Sequence, residues 1–132
     1  MTGETDLSQL LRSMQPELQA GEFVFCTCPS ASVAELSVRP VCLFYEAEGT
    51  TLILPRDQAV RAGLTFTYPC RMITLTIHSS LEAVGFLAAI SQALAALGIS
   101  VNAVSAYYHD HLFVPVDQAE AAMTCLKQLA GC

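Results

Sequence analysis

Positive charge is scarce in this chain: six Lys and Arg stand against twelve Asp and Glu, a net charge of −6 over 132 residues. Phosphate-backbone binding relies on clustered Lys and Arg that displace counterions, so nucleic acid is not expected as a partner. Long apolar runs are missing as well. The least polar stretch, residues 83–97, falls short of the ~20 residues that span a bilayer, and Ser91, Gln92 and Gly98 interrupt or end it. No membrane segment is therefore expected. The opening residues carry Glu4 and Asp6 rather than a basic region leading into an apolar one, so the expected location is cytoplasmic. Also lacking are Gly-x-Ser-x-Gly, a phosphate loop, a dinucleotide fingerprint and His-Glu-x-x-His. No catalytic residue, metal ligand or cofactor is nominated, and the chain is read as a non-enzyme.

What is abundant is apolar surface. Hydrophobic residues make up 53% of the chain and charged ones only 14%, more than a free monomer needs, so buried interface and a homo-oligomer are expected. The six cysteines (Cys26, Cys28, Cys42, Cys70, Cys125, Cys132) are scattered through apolar segments without the framework of a small secreted scaffold. They read as reduced, buried thiols that behave as small hydrophobes. Only Cys70 has a basic neighbour, Arg71, a weak signal for an activated thiolate.

Leu7, Leu10, Leu11 and Met14 recur at helical spacing after Thr5 or Asp6 as N-cap and before Pro16, which predicts a short opening helix over 6–14. Residues 22–28 favour a strand, ended by Pro29, and 30–39 stay undecided between loop and turn. Residues 41–46 and 50–54 flank a turn containing Gly49, a hairpin. A short helix over 57–62 stops at Gly63, and 64–68 is a further strand candidate before Pro69.

The second half is dominated by one β-α-β-β unit over 71–115. Ile73, Leu75 and Ile77 alternate with Thr74, Thr76 and His78, a strand with one buried face. Ser79 and Glu82 have the spacing of a capping box, which predicts a helix from there to about Leu97 with Leu87, Ile90, Leu94 and Leu97 inward and Gly98 as terminator. Strands over 99–107 and 111–114 follow, joined through Tyr108, His109 and Asp110. Asp117 and Glu120 repeat the capping spacing before a last helix over 118–130, with Ala122, Cys125, Leu126 and Leu129 inward.

An internal repeat ties the halves together. Residues 52–59, LILPRDQA, align with 112–119, LFVPVDQA, each time where a hairpin gives way to a helix, with five of eight positions identical. Strand 22–28 then corresponds to 72–78. Two halves are expected, 1–68 with the leading helix and 69–132.

The second half resembles the ACT domain, a β-α-β-β-α-β small-molecule sensor attached to many enzymes of amino-acid metabolism. The carrying residues are Ile73-Thr74-Leu75-Thr76-Ile77, the turn Glu82-Ala83-Val84-Gly85, the helix from Phe86 to Leu97, and Gly98-Ile99-Ser100-Val101-Asn102. The chain is also similar to stand-alone tandem ACT-like proteins, through the turn from His78 to Gly85 and the hairpin from Tyr107 to Pro115. Glu82 and Val84 depart from the family's usual Asp and Pro, and no residues follow the last helix for a final strand, which the first half could supply. The resemblance implies an α+β, ferredoxin-like fold of two tandem halves with antiparallel sheets, and ligand binding rather than catalysis.

An amino acid needs donors for its carboxylate, acceptors for its ammonium and a shaped pocket. The turn Ser79, Ser80, Leu81, Glu82, Ala83, Val84, Gly85 and Phe86 offers amides at a helix start, and Gly85 permits close approach. Glu82 could accept from the ammonium or simply cap its own helix, and Asn102 could donate and accept. Tyr107, Tyr108, His109, Asp110 and His111 are read as a pocket rim or an inter-subunit contact. A metal there would need three or four ligands, and only His78 is left as a third. The expected function is an amino-acid-binding regulatory or sensor protein with its ligand at an interface between ACT units. The alternative is a ligand-free assembly module on the same fold.

Overall fold

The computed structural model describes residues 6–77 and 81–131. They form two compact units: residues 21–70, and residues 71–131 together with the leading segment up to Ala20.

In the unit formed by residues 21–70, strand β2 (Phe23–Cys28) buries Val24, Cys26 and Cys28 on one face. A 3-10 turn, Ser30–Glu35, occupies the stretch that sequence periodicity leaves open. The hairpin β3 (Cys42–Glu46) and β4 (Gly49–Pro55) pairs Glu46 with Gly49, and β4 pairs onward with β2. Gly49 is required there because a Cβ would stand 3.0 Å from Thr27 Oγ1 and 3.2 Å from the Cys28 carbonyl. Helix α2 (Arg56–Arg61) buries Ala59 and ends at Gly63, with φ 69°. The chain then enters β5 (Phe66–Thr76), whose first residues pair antiparallel with β2. The order β3-β4-β2-β5 with helical turns after β2 and β4 is a complete ferredoxin-like unit.

Strand β5 is eleven residues long, where sequence patterns suggest two strands split at Pro69. A bulge absorbs the proline. Between the pairs Phe23↔Cys70 and Phe25↔Thr67 the register slips by one residue, and Tyr68 takes φ 58° in the left-handed region. The Tyr68 ring stands edge-on to Phe25 with centroids 5.6 Å apart.

In the other unit, α1 (Leu7–Ser13) is capped by Asp6, whose carboxylate accepts from the Gln9 amide at 3.0 Å. Next comes a strand that the sequence hides, β1 (Gln15–Leu18), antiparallel to the last residues of β5 from Gln15↔Thr76 to Leu18↔Ile73. It includes Pro16, tolerated because β1 pairs on one side only. After β5 come α3 (Phe86–Ala96), β6 (Asn102–Ser105), β7 (Asp110–Pro115), a 3-10 turn Val116–Gln118 and α4 (Ala119–Leu129). The order β1-β5-β7-β6 is again ferredoxin-like, with β1 in the edge position beside β5.

The core of this unit combines Leu10 and Met14 with Ile73 and Leu75, Phe86, Ile90 and Leu94 of α3, Leu112 and Val114 of β7, and Ala122 and Leu126 of α4. Three helical expectations change. The helix predicted from Ser79 begins at Phe86, because Gly85 at φ 90° is left-handed and breaks the helical path. Leu97 is exposed rather than inward, since the helix has ended at Ala96. Asp117 and Glu120 form no capping box: a 3-10 turn precedes α4, and no side chain caps it among the described residues. The repeat itself is preserved in the backbone. Pro55 (φ −56°, ψ 136°) and Pro115 (φ −55°, ψ 144°) turn the chain from strand to helix in the same conformation.

Candidate functional site

A cleft of about 220 Å3 opens at the N-terminus of α3, lined by Leu81, Ala83, Gly85, Phe86, Leu87, Ala88, Ser105 and Asp110. The local sequence explains why amides gather there. The left-handed Gly85 ends the preceding turn, and the first bond along the helix runs from the Ala89 amide to the Gly85 carbonyl at 2.9 Å. The amides of Phe86, Leu87 and Ala88 thus precede the first intrahelical donor and lie at the positive end of the helix dipole.

The opposite side comes from the β6–β7 hairpin, in which Ser105 pairs with Asp110. The loop between them closes through the Ala106 amide donating to the His109 carbonyl at 3.0 Å. Asp110 is only 8% exposed. It lines the cleft on the side facing the start of α3, where a ligand group could meet its carboxylate.

The flanking histidines are held by β5 and by Ile77 just after it. His111 Nδ1 lies 3.0 Å from Thr74 Oγ1, and His109 Nδ1 lies 3.3 Å from the Ile77 carbonyl. Burial pushes the His111 pKa below its ordinary value, the neighbouring His109 lowers it further, and Asp110 opposes both. Among the described residues no three His, Cys, Asp or Glu side chains gather as a metal site.

Of the residues nominated from sequence, Leu81, Ala83, Gly85, Phe86 and Asp110 line one cleft. Ser79, Ser80 and His78 lie outside the described residues. Glu82 and Asn102 do not line the cleft, and the Val84 side chain points outward at 83% exposure. Tyr107 and Tyr108 form an exposed edge-to-face pair, centroids 4.9 Å apart, at the hairpin tip. Ser105, Leu87 and Ala88 are additions. Ser105 was findable only through the hairpin register, which a loop of uncertain length concealed.

Cys26, Cys28, Cys70 and Cys125 are buried in the cores, while Cys42 is partly exposed. Cys70 is fully buried, its thiol donates to the Phe23 carbonyl at 3.3 Å, and burial with the Glu22 charge pushes its pKa up to about 12. Burial and the neighbouring Cys28 also raise Cys26. Among the described residues no helix is long and apolar enough to cross a membrane.

Two successive units of ferredoxin-like order, each with its helices after the first and third strands of the motif, define a tandem ferredoxin-like architecture. ACT-domain family profiles match residues 2–71 and 67–128, and the chain belongs to the ACT-domain family. The first half, recognisable in sequence only through its repeat, thus matches as fully as the second. A Vibrio cholerae protein of unknown function, described as a possible transport protein, is 47% identical over 94% of this chain and 95% of its own, with a TM-score of 0.85. The ligand-free regulatory subunit of aspartate kinase from Thermus thermophilus shares the fold at 12% identity, covering 90% of this chain and 97% of that one with a TM-score of 0.70. An Agrobacterium tumefaciens protein does so at 13% identity over 89% of each chain, TM-score 0.73. A comparison with curated proteins gives no match.

Proposed function

We propose that this protein is a non-catalytic regulatory sensor that binds a free amino acid in the cleft at the start of α3. One observation carries the reading: the cleft sets the first amides of α3 against Asp110, a largely buried acid that lines its opposite side. The amides suit the carboxylate of a zwitterion and Asp110 suits its ammonium. Its volume of about 220 Å3 lies below the roughly 300–1,000 Å3 of pockets for drug-sized ligands, which fits a molecule of amino-acid size. The acceptor role given to Glu82 from sequence passes to Asp110.

The ligand is proposed to sit where one ACT unit meets another. The hairpin that carries Asp110 ends in the exposed Tyr107–Tyr108 pair, and β6 ends the strand order beside the cleft. An exposed aromatic pair beside a strand at the end of the sheet order supports a homo-oligomer. Binding that orders the 81–85 turn would then bias the contact between units.

A thermal-shift panel of the purified protein against the twenty amino acids tests this. A ligand at ~100 times its dissociation constant adds about 2.7 kcal/mol, several degrees in midpoint, and Asp110→Asn should remove the shift. A flat panel at millimolar ligand would refute the sensor. It would favour a ligand-free assembly module, to which the exposed Phe44 and Tyr45 on edge strand β3 would then belong.

A further inference from the structure

Beside the cleft runs a second groove, about 190 Å3, between α3 and β6, lined by Leu87, Ala88, Ile90, Ser91, Val101, Ala103 and Leu112. Leu87 and Ala88 line both, so the polar cleft and the groove are neighbours along the first turns of α3. The chemistry changes sharply between them. The groove has no charged lining residue, and its one polar side chain, Ser91, already donates to the Ala88 carbonyl at 3.2 Å. Among its lining residues only the Ser91 hydroxyl, as an acceptor, can meet a polar group, and none carries a counter-charge for an ionised one.

From this adjacency we infer that the ligand is an amino acid with an aliphatic side chain: its zwitterionic end lies between the α3 amides and Asp110, and its side chain reaches past Leu87 and Ala88 into the α3–β6 groove. The inference rests on the sensor reading above and adds the class of ligand. The polar cleft selects an α-amino acid by charge complementarity, and the groove selects among amino acids by burial of apolar area. Lysine, arginine, aspartate and glutamate are rejected because the groove offers their charges no partner.

Isothermal titration of the full chain with glycine, alanine, valine, leucine, aspartate and lysine tests the assignment. Affinity should climb by about fourfold per buried methylene from alanine through leucine, with aspartate and lysine weaker than leucine. Ala103→Glu, on the exposed side of the groove, should weaken leucine by roughly tenfold or more and narrow or reverse its advantage over lysine. The ligand-free melting midpoint checks that the variant folds, and the wild-type series stands without it. Equal or tighter binding of aspartate, lysine or glycine would overturn the aliphatic assignment while leaving the sensor intact. Absence of binding by all six at millimolar concentration would overturn the aliphatic assignment; a hit elsewhere in the twenty-member panel would keep the sensor, and a flat panel would remove it too.

Discussion

The hydroxyl of Thr74, a buried residue near the end of β5, lies 3.0 Å from Nδ1 of His111 on β7 and accepts from Gln19 Nε2 at 3.1 Å. With Gln19 donating to it, the hydroxyl's own proton is available to His111, an arrangement that suits a neutral imidazole with its proton on Nε2. Three segments of one unit, the end of the leading segment, β5 and β7, thereby meet at one oxygen.

The same contact makes stability depend on pH. A histidine whose folded pKa is depressed binds its proton more tightly when unfolded, so its stabilising effect is complete above the unfolded value of ~6.5. Stability should fall as pH drops through that value and level off below the folded pKa. Urea denaturation at pH 7.5 and pH 5 should show a loss that His111→Gln reduces. An equal loss in the variant would assign the effect to other groups.

Thr74→Val keeps the shape of the side chain and removes its oxygen. Gln19 Nε2 and His111 Nδ1 then lose a shared partner in a part-buried setting, at a cost of about 1–3 kcal/mol. The urea midpoint measures it. A change below about 0.5 kcal/mol would mean that water replaces the hydroxyl.

Gly85 holds φ 90° immediately before α3, and a Cβ there would meet only Leu7 Cδ2 at 3.5 Å. Space is not the obstacle; the left-handed backbone is. Gly85→Ala should cost about 1–2 kcal/mol in denaturation, with ligand binding weakened as the turn relaxes.

The leading segment belongs to the second unit's core, where Leu10 and Met14 are buried and β1 completes the sheet. Leu10→Ala should therefore destabilise by about 2–5 kcal/mol. Hydrogen exchange should rise in β5 and α4 of that unit. A surface-like effect of a few tenths would contradict this placement.

Thiol labelling separates the cysteines. Under native conditions at pH 8, Cys70 and Cys26 should resist alkylation, since both are buried with raised pKa values. Cys42, partly exposed on β3, should react first, as peptide mass spectrometry would show. Rapid Cys70 modification without unfolding would contradict the packing.

Much of the architecture was written locally, in features that need no distant partner. The period-two pattern of Ile73, Leu75 and Ile77, the Gly49 hairpin, the stops at Gly63 and Gly98 and the LILPRDQA/LFVPVDQA repeat each act within a few residues. Together with the motif from Glu82 to Gly85 they determined a tandem ACT fold, and the family matches agree. The helix starts read from Ser-x-x-Glu and Asp-x-x-Glu spacing fall further along the chain, because such spacing marks a start only if the backbone beyond stays helical. Left-handed Gly85 and the 3-10 turn at Val116–Gln118 prevented that.

Tertiary structure alone decided three things. It made Gln15–Leu18 a strand, for four residues containing a proline have no strand signal until β5 offers an edge. It merged two apparent strands into β5 by placing Pro69 in a bulge opposite β2. It also brought Asp110 rather than Glu82 to the cleft. Hairpin register, a property of two paired strands, determines which face each residue takes, and a shift of one residue would have turned Asp110 away.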